Sequence, residues 1–214
     1  MFFDMNNLDQ KRSYKLLAST VVPRPIAWVV TAGEDGSPNA APYSLFNFFS
    51  GFPPVICVGM GLRDAAPKDS LANIRRLGEF VINLVSEDLA QQMNTTAVPF
   101  PRGVNELEMA GLDTVPATKV GLPRIERSPV ALECKLSQVL DVDTSGVIVV
   151  GHVVGMHVRD EAVIDAVRCY IDTPQLELIG RMESPGSYTR THERFSMRQL
   201  QVDEWEAQQM RASD

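Results

Sequence analysis

The chain has 214 residues, a length that suits one domain with a sizeable core, and its 14 glycines and 14 prolines are ordinary for a folded protein. A formal net charge of −7 argues against nucleic acid as a main partner, because binding a phosphate backbone needs a basic face, whereas a small anion needs only a local cluster of donors. The three cysteines (Cys57, Cys134 and Cys169) are widely spaced and form no CxxC, so neither a disulfide framework nor a zinc site is expected.

Read in chain order, MFFDMNNLDQ has no apolar core for a signal peptide, and no later stretch approaches the roughly 18 apolar residues of a membrane span. A soluble, cytoplasmic protein is expected. Tyr14 to Val22 is a mixed lead-in. Ile26 to Thr31 (IAWVVT) reads as a strand, Gly33 to Ser37 (GEDGS) as a hairpin turn, and the segment from Pro42 as a long second strand. Pro53-Pro54 interrupts any ladder before Val55 to Met60 resumes extended. A helix is expected over Asp69 to Leu77, capped by Asp69 or Ser70, with Leu71, Ile74 and Leu77 on one face and Gly78 at its end. Glu79 to Val85 reads as a buried strand, and a second short helix runs from Ser86 to about Asn94. In Val130 to Leu136 the apolar residues alternate with Glu133 and Lys135, the pattern of a half-buried strand. Val147 to Val158 is a longer apolar strand with bends expected at Gly151 and Gly155, and Asp203 to Arg211 closes the chain as a helix. Five to seven strands with few helices point to an all-β-dominated β-barrel with helical insertions, in a single unit over residues 1–214.

Several kinds of chemistry are missing. There is no G-x-S-x-G elbow and no P-loop. Gly59-Met60-Gly61-Leu62-Arg63-Asp64 starts like a dinucleotide fingerprint, but Asp64 stands where the third glycine belongs. His152 and His157 share one strand at odd spacing, so they are expected on opposite faces and unable to chelate one metal. Chemistry carried by a bound cofactor needs no protein nucleophile, and the segment Pro42 to Met60 has the composition such a site would use. It mixes Tyr43, Phe46, Phe48, Phe49 and Phe52 with Ser44, Asn47, Ser50 and Gly51.

Five blocks occur in register: Val22 to Trp28 (VPRPIAW), Gly36 to Asn47 (GSPNAAPYSLFN), Pro53-Pro54, Lys68 to Ile74 (KDSLANI) and Glu79 to Leu84 (EFVINL). With Ser128 to Cys134 and Gly151 to Val153, they closely resemble the flavin reductase-like family of FMN-binding split barrels, over about Tyr14 to Phe195. The resemblance implies an antiparallel split β-barrel of Greek-key type and a homodimer with FMN in a groove at the subunit interface. Phe46 would wall the flat isoalloxazine, and Ser44 and Asn47 would meet its polar edge. Lys68, Asp69 and Ser70 sit where the family binds the FMN phosphate, and a cation beside a helix start is itself an anion site. Asp69 or Ser70 could instead simply cap that helix.

Asn39 resembles a family flavin contact, although asparagine beside a turn is also common. Arg24, held between Pro23 and Pro25, would reach the phosphate or pair with a carboxylate. Tyr188 resembles a C-terminal element that folds over the flavin. Phe48, Phe49 and Phe52 suit the core or a dimer interface. One departure stands out: where some smaller members carry Gly-Asp-His near the nicotinamide, this chain reads Asp143-Thr144-Ser145-Gly146. The leading expectation is an FMN-dependent oxidoreductase that takes hydride from NADH or NADPH and passes electrons to free flavin, a partner monooxygenase or another acceptor, with no catalytic side chain named. An FMN-binding electron carrier without NAD(P)H activity and a barrel adapted to pyridoxal phosphate or haem remain open.

Overall fold

The computed structural model describes residues 1–62, 68–101, 103–143, 146–183 and 185–212. Arg63 and Asp64 of the broken fingerprint and Thr144-Ser145 in the departing motif lie outside them. Most of the mixed lead-in is a helix, α1 (Gln10–Thr20), opened by Asp9, whose carboxylate accepts from the Arg12 N–H at 2.8 Å. Only Ala18 of this helix is buried, so it has no continuous apolar stripe by which the sequence could announce it.

Strands β1 (Ala27–Ala32) and β2 (Pro38–Tyr43) form the expected hairpin through Gly33 to Ser37. The single long strand expected next is two strands. β2 stops at Tyr43, and β3 (Phe46–Gly51) begins after only Ser44 and Leu45, then turns at Phe52-Pro53 into β4 (Pro54–Gly61). Helix α2 (Asp69–Leu77) has the expected bounds, buries Leu71 and Ile74 completely, and ends at Gly78, whose φ of 71° suits a residue without Cβ. Its N-cap position is Lys68, so neither Asp69 nor Ser70 caps it as expected.

Strand β5 (Glu79–Asn83) follows, then a 3-10 turn at Glu87–Leu89 that leads into α3 (Ala90–Thr95). Helix α4 (Glu106–Met109) and the small hairpin of β6 (Thr114–Pro116) and β7 (Pro123–Ile125) come next. The long strands β8 (Val130–Asp143) and β9 (Gly146–Val158) pair with each other. Two further hairpins are β10 (Val163–Asp165) with β11 (Tyr170–Ile171) and β12 (Ile179–Arg181) with β13 (Tyr188–Arg190). Helix α5 (Val202–Ala212) closes the described chain close to its expected bounds. Among the described residues, no helix is long and apolar enough to cross a membrane.

The main sheet has seven antiparallel strands in the order β2-β1-β5-β8-β9-β4-β3. Ala27 and Val29 of β1 share one core cluster with Ile56, Val58 and Met60 of β4, although three strands separate β1 from β4 in the sheet. The sheet therefore wraps around this cluster, with Leu71 and Ile74 of α2 contributing from the side. Trp28 and Val30 point the other way, into a second cluster with Met93, Leu107 and Ile125. Both faces of β1 are thus buried, which explains why IAWVVT is continuously apolar.

The bends expected in β9 are present. Register shifts between β8 and β9 fall at Glu133/Cys134 and Leu136/Gln138, opposite Gly155 and Gly151. A Cβ on Gly151 would come within 2.7 Å of the Phe80 ring, and one on Gly155 within 3.2 Å of the Glu133 carboxyl carbon. The extra residue Val154 also changes parity along β9. His152 and His157 therefore pair with Lys135 and Ala131 and share a face instead of opposing each other, four residues or about 13 Å apart along β8.

Glu133 corrects the half-buried reading of β8, because its side chain is wholly buried. Its carboxylate accepts from the Thr118, Lys119 and Val120 N–H groups at 2.8, 2.5 and 3.1 Å and lies 2.6 Å from His157 Nε2. Burial raises its pKa, but the Thr118 and Lys119 amides, His157 and the Val120 amide outweigh burial and hold it below the ordinary 4.5. A depressed carboxyl contributes stability above its unfolded pKa and loses it as pH falls through its folded value. Glu133→Gln is expected to cost about 2–4 kcal/mol at pH 7, since it removes the buried charge to which three backbone amides donate. In urea unfolding, the gap between wild type and variant should narrow below pH 4.5.

Candidate functional site

The nine residues singled out in the sequence converge on the run from Asn39 to Asn47, but three clefts divide them. One cleft, of about 630 Å³, lies at the seam where β2 passes into β3. Ser44, Phe46, Asn47 and Phe49 line it together with Cys57, Gly59 and Gly61 of the paired strand β4. The Gly59 N–H donates to the Leu45 carbonyl at 2.6 Å and so ties the link to β4. Asn47 accepts from the Phe48 N–H at 2.9 Å through its side-chain oxygen. Burial raises the pKa of the Cys57 thiol, so this wall is electrically neutral at ordinary pH.

A second cleft, of about 610 Å³, lies on the other side of Ser44, and Tyr188 lines it together with Tyr14, Tyr43 and Arg181. Lys68 stands over the Tyr43 ring, its Nζ 5.8 Å from the centroid. The Tyr43 hydroxyl is buried and makes no hydrogen bond of its own among the described residues. Burial pushes its pKa up to about 12, with nearby Ser70 drawing it down and Glu106 and Asp69 adding to the rise.

Asn39 and Asp69 line a third cleft with Asn73 and Arg76. Asn39 and Ser70 were expected to touch a ligand separately, but the structure joins them to each other. Ser70 Oγ donates to Asn39 Oδ1 at 3.0 Å, and Thr31 Oγ1 reaches the same oxygen at 3.2 Å. Asn39 Nδ2 donates to Glu106 at 2.8 Å, and Asn73 Nδ2 donates to Thr31 Oγ1 at 3.1 Å. Glu106 also accepts the Ala40 N–H at 3.1 Å. Burial lifts its pKa above the ordinary value despite these bonds, and Asp69 adds to the rise. Four elements (β1, β2, α2 and α4) are thus tied by one polar network, and Ser70 is only 2% exposed.

Arg24 is also committed within the fold. It lines the seam cleft, but its guanidinium donates to the Ala18 and Val21 carbonyls at 2.6 and 2.9 Å and to the Met182 carbonyl at 2.7 Å. Among the described residues it pairs with no carboxylate, so that expectation is corrected: Arg24 satisfies the carbonyl end of α1. Sequence reasoning passed over Tyr14, Cys57 and Arg181. The only signal available for Arg181 was its place seven residues before Tyr188 in Gly180 to Thr191.

The seam cleft fits a flat cofactor: it lies within the usual size range of small-ligand pockets and sets rings beside short polar groups and glycines. The model of the flavin reductase like domain matches residues 18–173. The chain belongs to the flavin reductase-like family. It is 43% identical over 211 residues to an uncharacterized protein of Deinococcus radiodurans, covering 96% of this chain and 92% of that one. In structure it is similar to the 2-nitrobenzoate 2-nitroreductase NbaA of Pseudomonas fluorescens, with a TM-score of 0.86 and 33% identity, covering 94% of this chain and 98% of that one. It is likewise similar to nitrilotriacetate monooxygenase component B of Bacillus cereus, with a TM-score of 0.86 and 28% identity, covering 92% and 98%.

The buried network yields a stability test. Asn39→Ala should cost about 2–3 kcal/mol in urea unfolding, because Ser70, Thr31 and Glu106 all lose a buried partner. Ser70→Ala should cost about 1 kcal/mol, because Thr31 still reaches the Asn39 oxygen.

Proposed function

We propose that the chain is an FMN-dependent oxidoreductase on a split barrel, and that the flavin ring occupies the seam cleft. The observation that carries this reading is the seam itself, where Phe46 offers a flat wall and Ser44, Asn47 and the glycines of β4 offer polar and open backbone. Phe46 would cover one ring face and keep water from it, while Ser44 and Asn47 would orient the hydrogen-bonding edge. Lys68 would hold the phosphate end: it occupies the N-cap of α2, its side chain makes no cap hydrogen bond to the first turn, and the helix dipole there favours an anion. When bound, FMN supplies two-electron chemistry between NADH or NADPH and an acceptor such as free flavin or a partner monooxygenase. The names of the two structural relatives, a nitroreductase and a monooxygenase component, support an oxidoreductase role.

A carrier without NAD(P)H activity is the second reading. It is favoured by the lining of the seam cleft, which includes no histidine among the described residues, with His157 committed to Glu133. The purified protein should carry bound flavin, and mixing with NADH or NADPH in a stopped-flow instrument should bleach it within seconds. Bound flavin that fails to bleach supports the carrier, and failure to bind FMN at micromolar concentration overturns both readings. Lys68→Ala should weaken FMN about tenfold while changing riboflavin by less than about twofold, as removal of a phosphate partner requires.

The active form is proposed to be a homodimer. Phe48, Phe49 and Phe52 were candidates for core, but they are 72%, 67% and 97% exposed, and β3 is an edge strand. An exposed apolar edge of this kind calls for a partner. Phe48→Asp is expected to shift the mass measured by light scattering from dimer toward monomer.

A further inference from the structure

Thr191 is tied to the body twice, because its N–H and its hydroxyl both donate to the Leu178 carbonyl, at 3.2 and 2.8 Å. Past it the chain changes character. From His192 to Met210 no described side chain is buried, although this arm carries Phe195, Met197, Val202, Trp205 and Met210. It also lies beyond residues 18–173, the span that the family model matches. Arg198 forms an ion pair with Glu204, which also accepts the Gln201 N–H at 2.9 Å, so the arm runs into α5 in a set conformation.

Helix α5 has 11 residues, and a helix shorter than about 12–15 residues is marginal in water unless one face is packed. Helix α1 is in the same position: it also has 11 residues and buries only Ala18. Trp205 of α5 is 53% exposed and Leu17 of α1 is 52% exposed, so the chain leaves both helices uncovered at once. Their charges are complementary. Helix α1 carries Lys11, Arg12 and Lys15 and no acid, whereas α5 opens with Asp203, Glu204 and Glu206. Arg12 pairs with Asp9, and Glu204 with Arg198, but Lys11 and Lys15 are exposed on one helix and Asp203 and Glu206 on the other. Lys11, Lys15 and Leu17 line none of the three clefts described above.

We propose that the arm is exchanged between two copies of this chain, with α5 of one protomer packed on α1 of its partner. Trp205 covers the exposed face at Leu17, and the acids at the start of α5 meet the lysines of α1. The reach is sufficient. The Cα steps from Thr191 to Val202 span at most about 40 Å, more than twice the radius of gyration of about 17 Å expected for a domain of this length. The exchange rests on the homodimer reading and adds to it the segment that holds the two chains together; it does not depend on the flavin.

Sedimentation equilibrium of the full chain, of Trp205→Ala and of a chain ending at Thr191 tests the proposal. Trp205→Ala should raise the dimer dissociation constant about tenfold, as loss of a buried aromatic anchor requires, and removal of the arm should raise it at least as much. Oxidative cross-linking then decides between exchange and folding back. With Cys169→Ser removing the exposed native thiol, a chain carrying both Leu17→Cys and Trp205→Cys should give a covalent dimer, and chains carrying one each should cross-link when mixed. A dissociation constant unchanged by loss of the arm would overturn the exchange and leave the dimer standing, whereas a full chain that is monomeric at micromolar concentration would overturn both. A covalent monomer from the doubly substituted chain would also overturn the exchange, by placing α5 on its own α1, and the absence of any cross-linked product would overturn the pairing of the two helices.

Discussion

Two residues, Ser44 and Leu45, connect strands that stand at opposite edges of a seven-stranded sheet. Laid flat, such a sheet would hold its edge strands about 29 Å apart, at about 4.8 Å per strand. The three Cα steps from Tyr43 to Phe46 span at most about 11 Å. The sheet has no choice but to curl until its edges meet at this link. The shared cluster of β1 and β4 side chains is the interior that curling creates. The seam at the link is where the ladder is weakest, because two consecutive residues leave one edge strand before joining the other. Backbone and short polar side chains are left there for something other than the sheet, and Ser44 lines both of the clefts at the link.

The polar network behind the seam holds this geometry in place. Asn39 sits on β2, the strand that runs into the link, and bonds to Ser70, Thr31 and Glu106, so β2 cannot slide relative to α2 without breaking partly buried hydrogen bonds. Lys68, at the start of the same helix, is thereby placed over the Tyr43 ring. Glu133 performs the corresponding task on β8, where its carboxylate fastens residues 118–120 to the strand. The two carboxyls show how the balance of terms sets a pKa. Glu133 has three amides and a histidine to offset burial and is depressed, whereas Glu106 has one neighbouring-strand amide, one asparagine and the nearby Asp69, and is raised.

The fold was legible wherever a local rule decides structure. The period-3.6 spacing of Leu71, Ile74 and Leu77 with Gly78 marked α2 to the residue. The GEDGS turn marked the first hairpin. The break at Ser44-Leu45 was not legible, because nothing in PYSLFN distinguishes one strand from two strands that part company; only sheet order, a long-range property, separates them. Glu133 was misread for a related reason. Alternation along β8 places it opposite Cys134, and no local signal says that residues 118–120 will cover that face. The histidines were assigned to opposite faces by counting residues, and a single bulged residue, Val154, reversed the parity.

The candidate site shows the same division in a sharper form, through two arginines whose main chains hydrogen-bond to each other. Arg24 stands in the more distinctive sequence, PRP, and was expected to reach the phosphate or pair with a carboxylate. Rigid flanking prolines, however, also suit a side chain that must be held against the end of a helix, and three backbone carbonyls take its donors. Arg181 stands in an unremarked stretch, yet it lines an open cleft with one arm anchored and its face covered by Tyr188. The roles differ because of where α1 ends: its last carbonyls point at Arg24 and need donors, and once they have them the neighbouring guanidinium is the one left facing the cleft. A motif therefore identified the neighbourhood of charge, and the unsatisfied carbonyls of a helix that the sequence did not announce decided which of two charges serves the fold.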